Sequence, residues 1–133
     1  MVVNAESAVQ LAGPWTHRTV SANGTRFHIA EAGDGPLVLM LHGFPEFWWT
    51  WRHQLTWLPE AGFRAVAVDL RGYGGSDKPP RGYDLVTAAA DTAGTSITTP
   101  TNPTTMAARR AQLFNRHNPH PISARTPAVS RNM

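Results

Sequence analysis

The sequence contains no cysteine among its 133 residues, which excludes a disulfide framework, thiolate metal ligands and a cysteine nucleophile. It also has no apolar run of the roughly 18 residues that a membrane-spanning helix needs. Residues 1–6 contain neither a basic segment nor a sustained apolar stretch, so no secretory signal is predicted. We therefore expect a cytoplasmic protein with no membrane partner, no cofactor and no bound metal.

Acidic residues are absent from the last part of the chain. All nine aspartates and glutamates precede residue 95, together with seven lysines and arginines, which gives residues 1–94 a formal charge of −2. Residues 95–133 contain five arginines and no acid, a charge of +5. This last part is rich in threonine, proline and arginine and lacks hydrophobic periodicity. We predict that residues 95–133 form a disordered basic tail, separate from a domain over residues 1–94.

Two interpretations of this tail stay open. The simultaneous loss of acids and periodicity at Gly94 favours a shifted reading frame without function, whereas the alternative is a basic interaction module. Its arginines are scattered and Phe114 is its one aromatic residue, while nucleic-acid strands favour clustered arginines interleaved with aromatics. No nucleic-acid partner is therefore expected. Pro119 separates His117 and His120 from helical spacing, and no carboxylate lies nearby, so this pair predicts no metal site.

Strand and helix patterns alternate through the first part. Residues 18–32 contain two β-prone runs around Asn23-Gly24, a dipeptide typical of a tight type I′ hairpin. Residues 37–41 are all apolar, which indicates a strand buried on both faces, as in a parallel sheet. An antiparallel β-hairpin followed by a parallel strand is therefore predicted.

Helical patterns follow that strand. Residues 48–59 place apolar side chains at spacings of three and four, and Gly62 is positioned to end a helix there. Residues 65–68 form the next buried strand, which completes a βαβ unit. Asp84 is a good N-cap for a second helix over residues 84–94.

Two polar loops follow the two parallel strands. His42-Gly43-Phe44-Pro45 comes directly after strand 37–41, and Asp69-Leu70-Arg71-Gly72-Tyr73-Gly74-Gly75-Ser76 comes after strand 65–68. Because the carboxyl ends of parallel strands meet at one edge of a sheet, these loops are expected to lie side by side.

The two loops resemble the HGxP and DxRGxGxS segments of α/β hydrolases. The longer run from His42 to Leu55 resembles the epoxide hydrolases within that superfamily, and the likeness covers about residues 10–94. The resemblance implies an α/β fold class: the N-terminal part of an α/β-hydrolase fold, with a β-hairpin, one βαβ unit and an incomplete sheet. Haloalkane and haloacetate dehalogenases also carry HGxP, so another HGxP hydrolase such as a dehalogenase stays open.

The resemblance also implies site residues. In the family, the backbone N–H carried here by Phe44 points at the negative charge that develops during catalysis. His42, Gly43 and Pro45 set the loop geometry, with a cis Phe44-Pro45 bond. Apart from the resemblance, large aromatics at helical spacing more often fill a core, but some of the tryptophans after the loop are candidates for the substrate pocket, Trp48 among them. Two polar residues of the second loop are expected to be structural, Asp69 and Ser76.

A nucleophile elbow is missing, since neither GxSxG nor GxDxG occurs in the sequence. In the resembled family, an elbow aspartate attacks the epoxide carbon and a histidine-activated water hydrolyses the ester. We therefore expect a truncated epoxide hydrolase-like chain, inactive alone, that acts on a small-molecule epoxide when a C-terminal fragment completes it. A non-enzymatic remnant, or an interaction module working through the basic tail, is the alternative.

Overall fold

The computed structural model describes residues 8–99. Its strands are β1 (Thr16–Ala22), β2 (Thr25–Ala32), β3 (Leu37–Leu41) and β4 (Arg64–Val68). Its helical segments are a 3-10 helix (Trp48–Trp51), α1 (Gln54–Glu60) and α2 (Leu85–Thr98). None of the helices in this range is both long and apolar enough to cross a membrane.

The predicted hairpin is confirmed. Strands β1 and β2 pair antiparallel with Ala22 opposite Thr25. The two turn residues between them have positive φ, +47° at Asn23 and +68° at Gly24. Asparagine and glycine tolerate this conformation better than other residues, which explains why the chain reverses here.

The sheet has the strand order β1-β2-β4-β3. Strand β4 lies between β2, with which it pairs antiparallel, and β3, with which it pairs parallel. Within residues 8–99, β3 is therefore an edge strand. The sequence predicted burial on both faces for this strand, yet most of its side chains are only partly buried and Leu41 is 38% exposed, because nothing among the described residues pairs with its second edge.

The helix predicted over residues 48–59 is interrupted. Residues 48–51 form the 3-10 helix, with Thr50 N–H donating to Phe47 O at 3.1 Å, and α1 begins only at Gln54. Regular apolar spacing does not distinguish these two kinds of helix, since tight turns are common at helix starts. Gly62 does end the segment: it has a φ of +91°, and its N–H donates to Pro59 O at 3.0 Å.

Both faces of the sheet are covered. The 3-10 helix and α1 pack on one face through a buried cluster that includes Trp48, Leu55 and Leu58. On the other face, Phe27 and Val68 belong to a second buried cluster, and α2 packs against β1. A sheet covered by helices on both sides is the α/β arrangement that the sequence predicted.

Helix α2 begins where the sequence predicted and continues further. Asp84 is the N-cap, and its carboxylate accepts the N–H of Thr87 at 2.9 Å. The helix runs to Thr98, so residues 95–98 are helical and the predicted boundary of the disordered tail at residue 95 was wrong. The buried side chain of Thr95 shows the reason, since this turn packs inward. Residues 100–133 lie outside the described range, and the prediction for them is untested.

Candidate active site

The loop after β3 is a tight turn closed by its own hydrogen bonds. Glu46 N–H donates to Gly43 O at 3.0 Å, and Gly43 N–H donates to the Glu46 carboxylate at 3.2 Å. The Phe44-Pro45 peptide bond is cis, as predicted. The side chain of Phe44 is 85% exposed. Within residues 8–99, the backbone N–H of Phe44 donates to no acceptor.

His42 joins this loop to the loop after β4. Its Nε2 accepts the backbone N–H of Leu70 at 3.0 Å, and its Nδ1 lies 2.9 Å from Gly43 O. These partners place the proton on Nδ1 and leave Nε2 as the acceptor, the neutral form of the ring. Tyr73 packs edge-on against the same ring, with centroids 5.1 Å apart. Both nitrogens of this buried histidine are thus committed to the loops.

Asp69 is the most heavily used polar side chain at this end of the sheet. It is fully buried, and Oδ1 accepts the N–H of Trp48 at 2.7 Å. Its Oδ2 accepts from His28 Nδ1 at 2.7 Å and from Gly75 N–H at 2.9 Å. Burial alone raises the pKa of Asp69, but these hydrogen bonds outweigh it and hold the pKa below its ordinary value. The carboxylate is therefore ionised, and both of its oxygens already accept hydrogen bonds.

Glycine at position 74 makes room for that carboxylate. A Cβ at Gly74 would lie 2.0 Å from Asp69 Oδ2, and the residue has a φ of +48°. The neighbouring hydroxyl of Ser76 accepts the N–H of His28 at 2.9 Å and donates to Asp69 O at 2.5 Å. The hydroxyl therefore accepts from one backbone group and donates to another, so Ser76 is not positioned to act as a nucleophile.

The structure corrects the position expected for Trp48. Its side chain is 0% exposed. The indole packs against Trp15 and Trp49, with centroids 5.4 Å away in each case, and Nε1 donates to Val9 O at 2.7 Å. This is a core position with no surface left for a substrate. The 3-10 helix directs this indole onto the sheet rather than toward the loop.

Sequence reasoning missed a pair of histidines behind Asp69. His17 Nδ1 lies 3.0 Å from His28 Nε2, and the rings are stacked at a 5.1 Å centroid distance. The hairpin register sets Thr19 opposite His28, and residues two apart on a strand share a face. That register, counted from Asn23-Gly24, was the signal that could have found the pair.

A cavity of about 800 Å³ lies at the opposite end of the strands. Its walls include Trp15 before β1, Glu31 near the end of β2 and Arg64 at the start of β4. The Glu31 carboxylate is already bound by Arg18 at 2.9 Å and by Arg64 at 2.5 Å. This cavity therefore takes no part in the loop site.

No group of three or more histidine and carboxylate side chains in residues 8–99 is placed to hold a metal ion. His117 and His120 lie outside that range, so the interpretation that they do not form a metal site is untested.

Comparison with known proteins identifies relatives for this part of the chain. Epoxide hydrolase 3 of Siraitia grosvenorii is 51% identical over 80 residues, covering 59% of this chain and 25% of the relative. Epoxide hydrolase A of Mycobacterium tuberculosis is 44% identical over 86 residues, covering 62% and 27%. The chain thus spans about a quarter of the length of these relatives.

Solved structures give the same result. The epoxide hydrolase VrEH1 of Vigna radiata matches with a TM-score of 0.60 and 48% identity, over 62% of this chain and 28% of that protein. An epoxide hydrolase from an endophytic Streptomyces matches with a TM-score of 0.63 and 46% identity, over 65% and 27%.

The family match is broader than the predicted resemblance. The sequence model of the alpha/beta hydrolase fold covers residues 36–122, beyond residue 94, where we expected the likeness to stop. It includes both loops and the strands that carry them. The chain belongs to the alpha/beta hydrolase fold family.

Proposed function

We propose that this chain carries the oxyanion-binding side of an epoxide hydrolase site. The reaction is the opening of a small-molecule epoxide to a diol through an aspartyl ester. Phe44 donates its backbone N–H to the negative charge that forms during ester hydrolysis. His42, Gly43 and Pro45 hold that N–H in place. Trp48 supports the loop from the core.

The unpaired N–H of Phe44 is the observation that carries the proposal. An oxyanion donor has to be fixed and must not be occupied by another acceptor. The Gly43–Glu46 hydrogen bonds fix the turn, and His42 ties it to Leu70. In residues 8–99, Phe44 N–H meets no acceptor. Its relatives named as epoxide hydrolases support the substrate class.

The nucleophile and the general base come from outside residues 8–99 in this proposal. The buried Asp69 carboxylate already accepts hydrogen bonds from three donors. The hydroxyl of Ser76 accepts from one backbone N–H and donates to one backbone carbonyl. Both ring nitrogens of His42 are committed. Since no elbow motif occurs in the sequence, we expect the 133-residue chain to be inactive by itself.

The edge of β3 is the proposed docking point for the missing part of the site. Its second side pairs with no strand among residues 8–99, and the side chain of Leu41 is partly exposed there. A strand added to this edge continues the parallel sheet. Such a strand is also the proposed source of the elbow that carries the nucleophile.

Complementation tests the proposal. The chain is co-expressed with a fragment of an epoxide hydrolase relative that lacks its own first quarter, and the purified pair is assayed for conversion of styrene oxide to its diol. We expect hydrolysis from the pair and none from either part alone. The His53→Gln variant is a matched control, because the His53 side chain is exposed and caps no helix by a hydrogen bond, and it should retain the activity of the pair.

Two results would count against the proposal. One is a co-purifying, folded pair that leaves styrene oxide and other small epoxides unchanged. The other is turnover by the 133-residue chain alone, which would mean that the chain supplies its own nucleophile.

A further inference from the structure

A hydrogen-bonded row of four groups runs from the buried Asp69 carboxylate to an exposed backbone carbonyl. It starts at the Asp69 carboxylate, which lies 2.7 Å from His28 Nδ1. His28 Nε2 then lies 3.0 Å from His17 Nδ1, and His17 Nε2 lies 2.9 Å from Leu11 O. His28 is 2% exposed. Both ends of the row are oxygen acceptors, a carboxylate and a carbonyl.

The number of protons in the row follows from its acceptors. His28 Nδ1 must carry a proton to reach the ionised Asp69, and His17 Nε2 must carry one to reach Leu11 O. The contact between the two rings needs a third proton, on one of the two nitrogens that face each other. Two neutral imidazoles hold only two protons. Three hydrogen bonds in the row therefore need one proton more than two neutral rings hold.

We propose that His17 and His28 share one additional proton, and that this imidazole–imidazolium pair positions the oxyanion loop by neutralising Asp69. The other oxygen of Asp69 holds the N–H of Trp48, which begins the helix directly after the loop. Losing the shared proton sets two acceptors against each other and leaves the buried carboxylate without its counter-charge. The positioning role rests on the function proposed above, whereas the shared proton does not.

The pair joins a buried ring to a partly buried one, since His28 is buried and His17 is of intermediate exposure. Strands β1 and β2 contribute the two histidines, and the turn after β4 contributes Asp69 as their charged partner. The 3-10 helix presents the indole of Trp48, whose ring lies edge-on to His17 at 5.0 Å and to His28 at 6.2 Å. Paired burial of this kind is tolerated because each charge has a hydrogen-bonded partner.

Nuclear magnetic resonance of the full chain, labelled with nitrogen-15 in histidine, tests the shared proton. We expect three nitrogen-bound protons on the two rings at mildly acidic pH and a coupling across the His17–His28 hydrogen bond. As the pH rises, the pair should lose one proton in a single step, and the amide signals of Trp48 and Phe44 should move in the same step. Two neutral rings throughout, or two independent titrations, would overturn the proposal.

A neutral replacement separates charge from packing. In His17→Gln, the Gln amide can donate to His28 Nε2, so a neutral His28 satisfies every contact and no extra proton is needed. The pH-dependent movement of the Trp48 amide should then disappear. The exposed control, His53→Gln, should retain it. Retention of that movement in His17→Gln would overturn the assignment.

The positioning role needs its own readout, the pH profile of kcat in the complemented enzyme. The unmodified chain should lose kcat on the alkaline side at the pH at which the pair loses its proton, and His17→Gln should lack that limb of the profile. An identical profile in both would overturn the positioning role. Absence of all hydrolysis would instead contradict the proposed function and leave the resonance result for the shared proton standing.

Discussion

Asp69 Oδ1 accepts the backbone N–H of Trp48 at 2.7 Å. This bond links the residue that follows β4 to the first residue of the 3-10 helix. The adjacent Leu70 donates its N–H to His42 Nε2. The consecutive residues Asp69 and Leu70 therefore hold the loop that carries Phe44 on both of its sides. The DxRGxGxS segment therefore acts here as a support for the HGxP loop.

The first prediction concerns Asp69→Asn. The change removes the charge that faces His28 and sets an amide against three donors, so we expect the free energy of unfolding to fall by about 3 kcal/mol. Chemical denaturation followed by tryptophan fluorescence measures the loss. Asp77→Asn is the control, since Asp77 pairs with Arg26 at an exposed position, and it should cost much less. Equal losses in both variants would contradict the role given to Asp69.

A second prediction concerns the anchor of α2. Arg71 makes two hydrogen bonds of 2.8 Å to Asp91, which also accepts from Asn23 Nδ2 at 2.7 Å. We expect Asp91→Ala to destabilise α2 by about 2 kcal/mol, seen as faster amide hydrogen exchange across residues 85–98. Ile97→Ala, at a position 78% exposed, should leave that exchange nearly unchanged. Unaltered exchange in Asp91→Ala would show that α2 is held by other contacts.

A third prediction concerns acid pH. Burial raises the pKa of Asp69 and of Asp91, but hydrogen bonds from His28 and Arg71 respectively outweigh it and lower both values. The unfolded chain then binds these protons at a higher pH, about 3.9, than the folded chain does. Their contribution is complete above that pH and is lost as the pH falls through the folded values. Unfolding midpoints measured against pH should drop below about pH 4, and midpoints that stay constant to about pH 2 would contradict this.

The fourth prediction concerns the edge of β3. An edge strand with apolar side chains promotes strand pairing between molecules, and a charge at the edge suppresses it. We expect the chain to self-associate with rising concentration and Leu41→Lys to reduce that association in sedimentation experiments. Leu85→Lys adds the same charge on α2, at a position 89% exposed, and should have a smaller effect. Equal effects would point to net charge rather than to the edge.

Local signals in the sequence were enough for much of this fold. The turn at Asn23-Gly24 depends on the conformations that those two residues tolerate, and the limits of β3 follow from an uninterrupted apolar run. The start of α2 depends on one capping side chain, Asp84. Each of these features is decided within a few residues of chain, which is why the pattern alone predicts it.

Features that depend on contacts between distant residues escaped the sequence. The aromatic cluster after the loop left both a core role and a pocket role open for Trp48, and the direction of its side chain is decided by packing on Trp15 and the sheet. His17 and His28 are 11 residues apart and meet only through the hairpin register. Thr95 is buried in the turn of α2 that packs inward. Residues 95–133 contain no acidic residue and no apolar periodicity, so no pattern in the sequence indicates this packing.

Replacing the amide of Phe44 with an ester in the complemented enzyme removes the proposed oxyanion donor and keeps every side chain. We expect a drop in kcat of about 100-fold with little change in KM. The same ester at Gly82, whose N–H also lacks an acceptor within residues 8–99, should be neutral. A kcat for the Phe44 ester within about twofold of the all-amide protein would contradict the claim that this N–H stabilises the oxyanion.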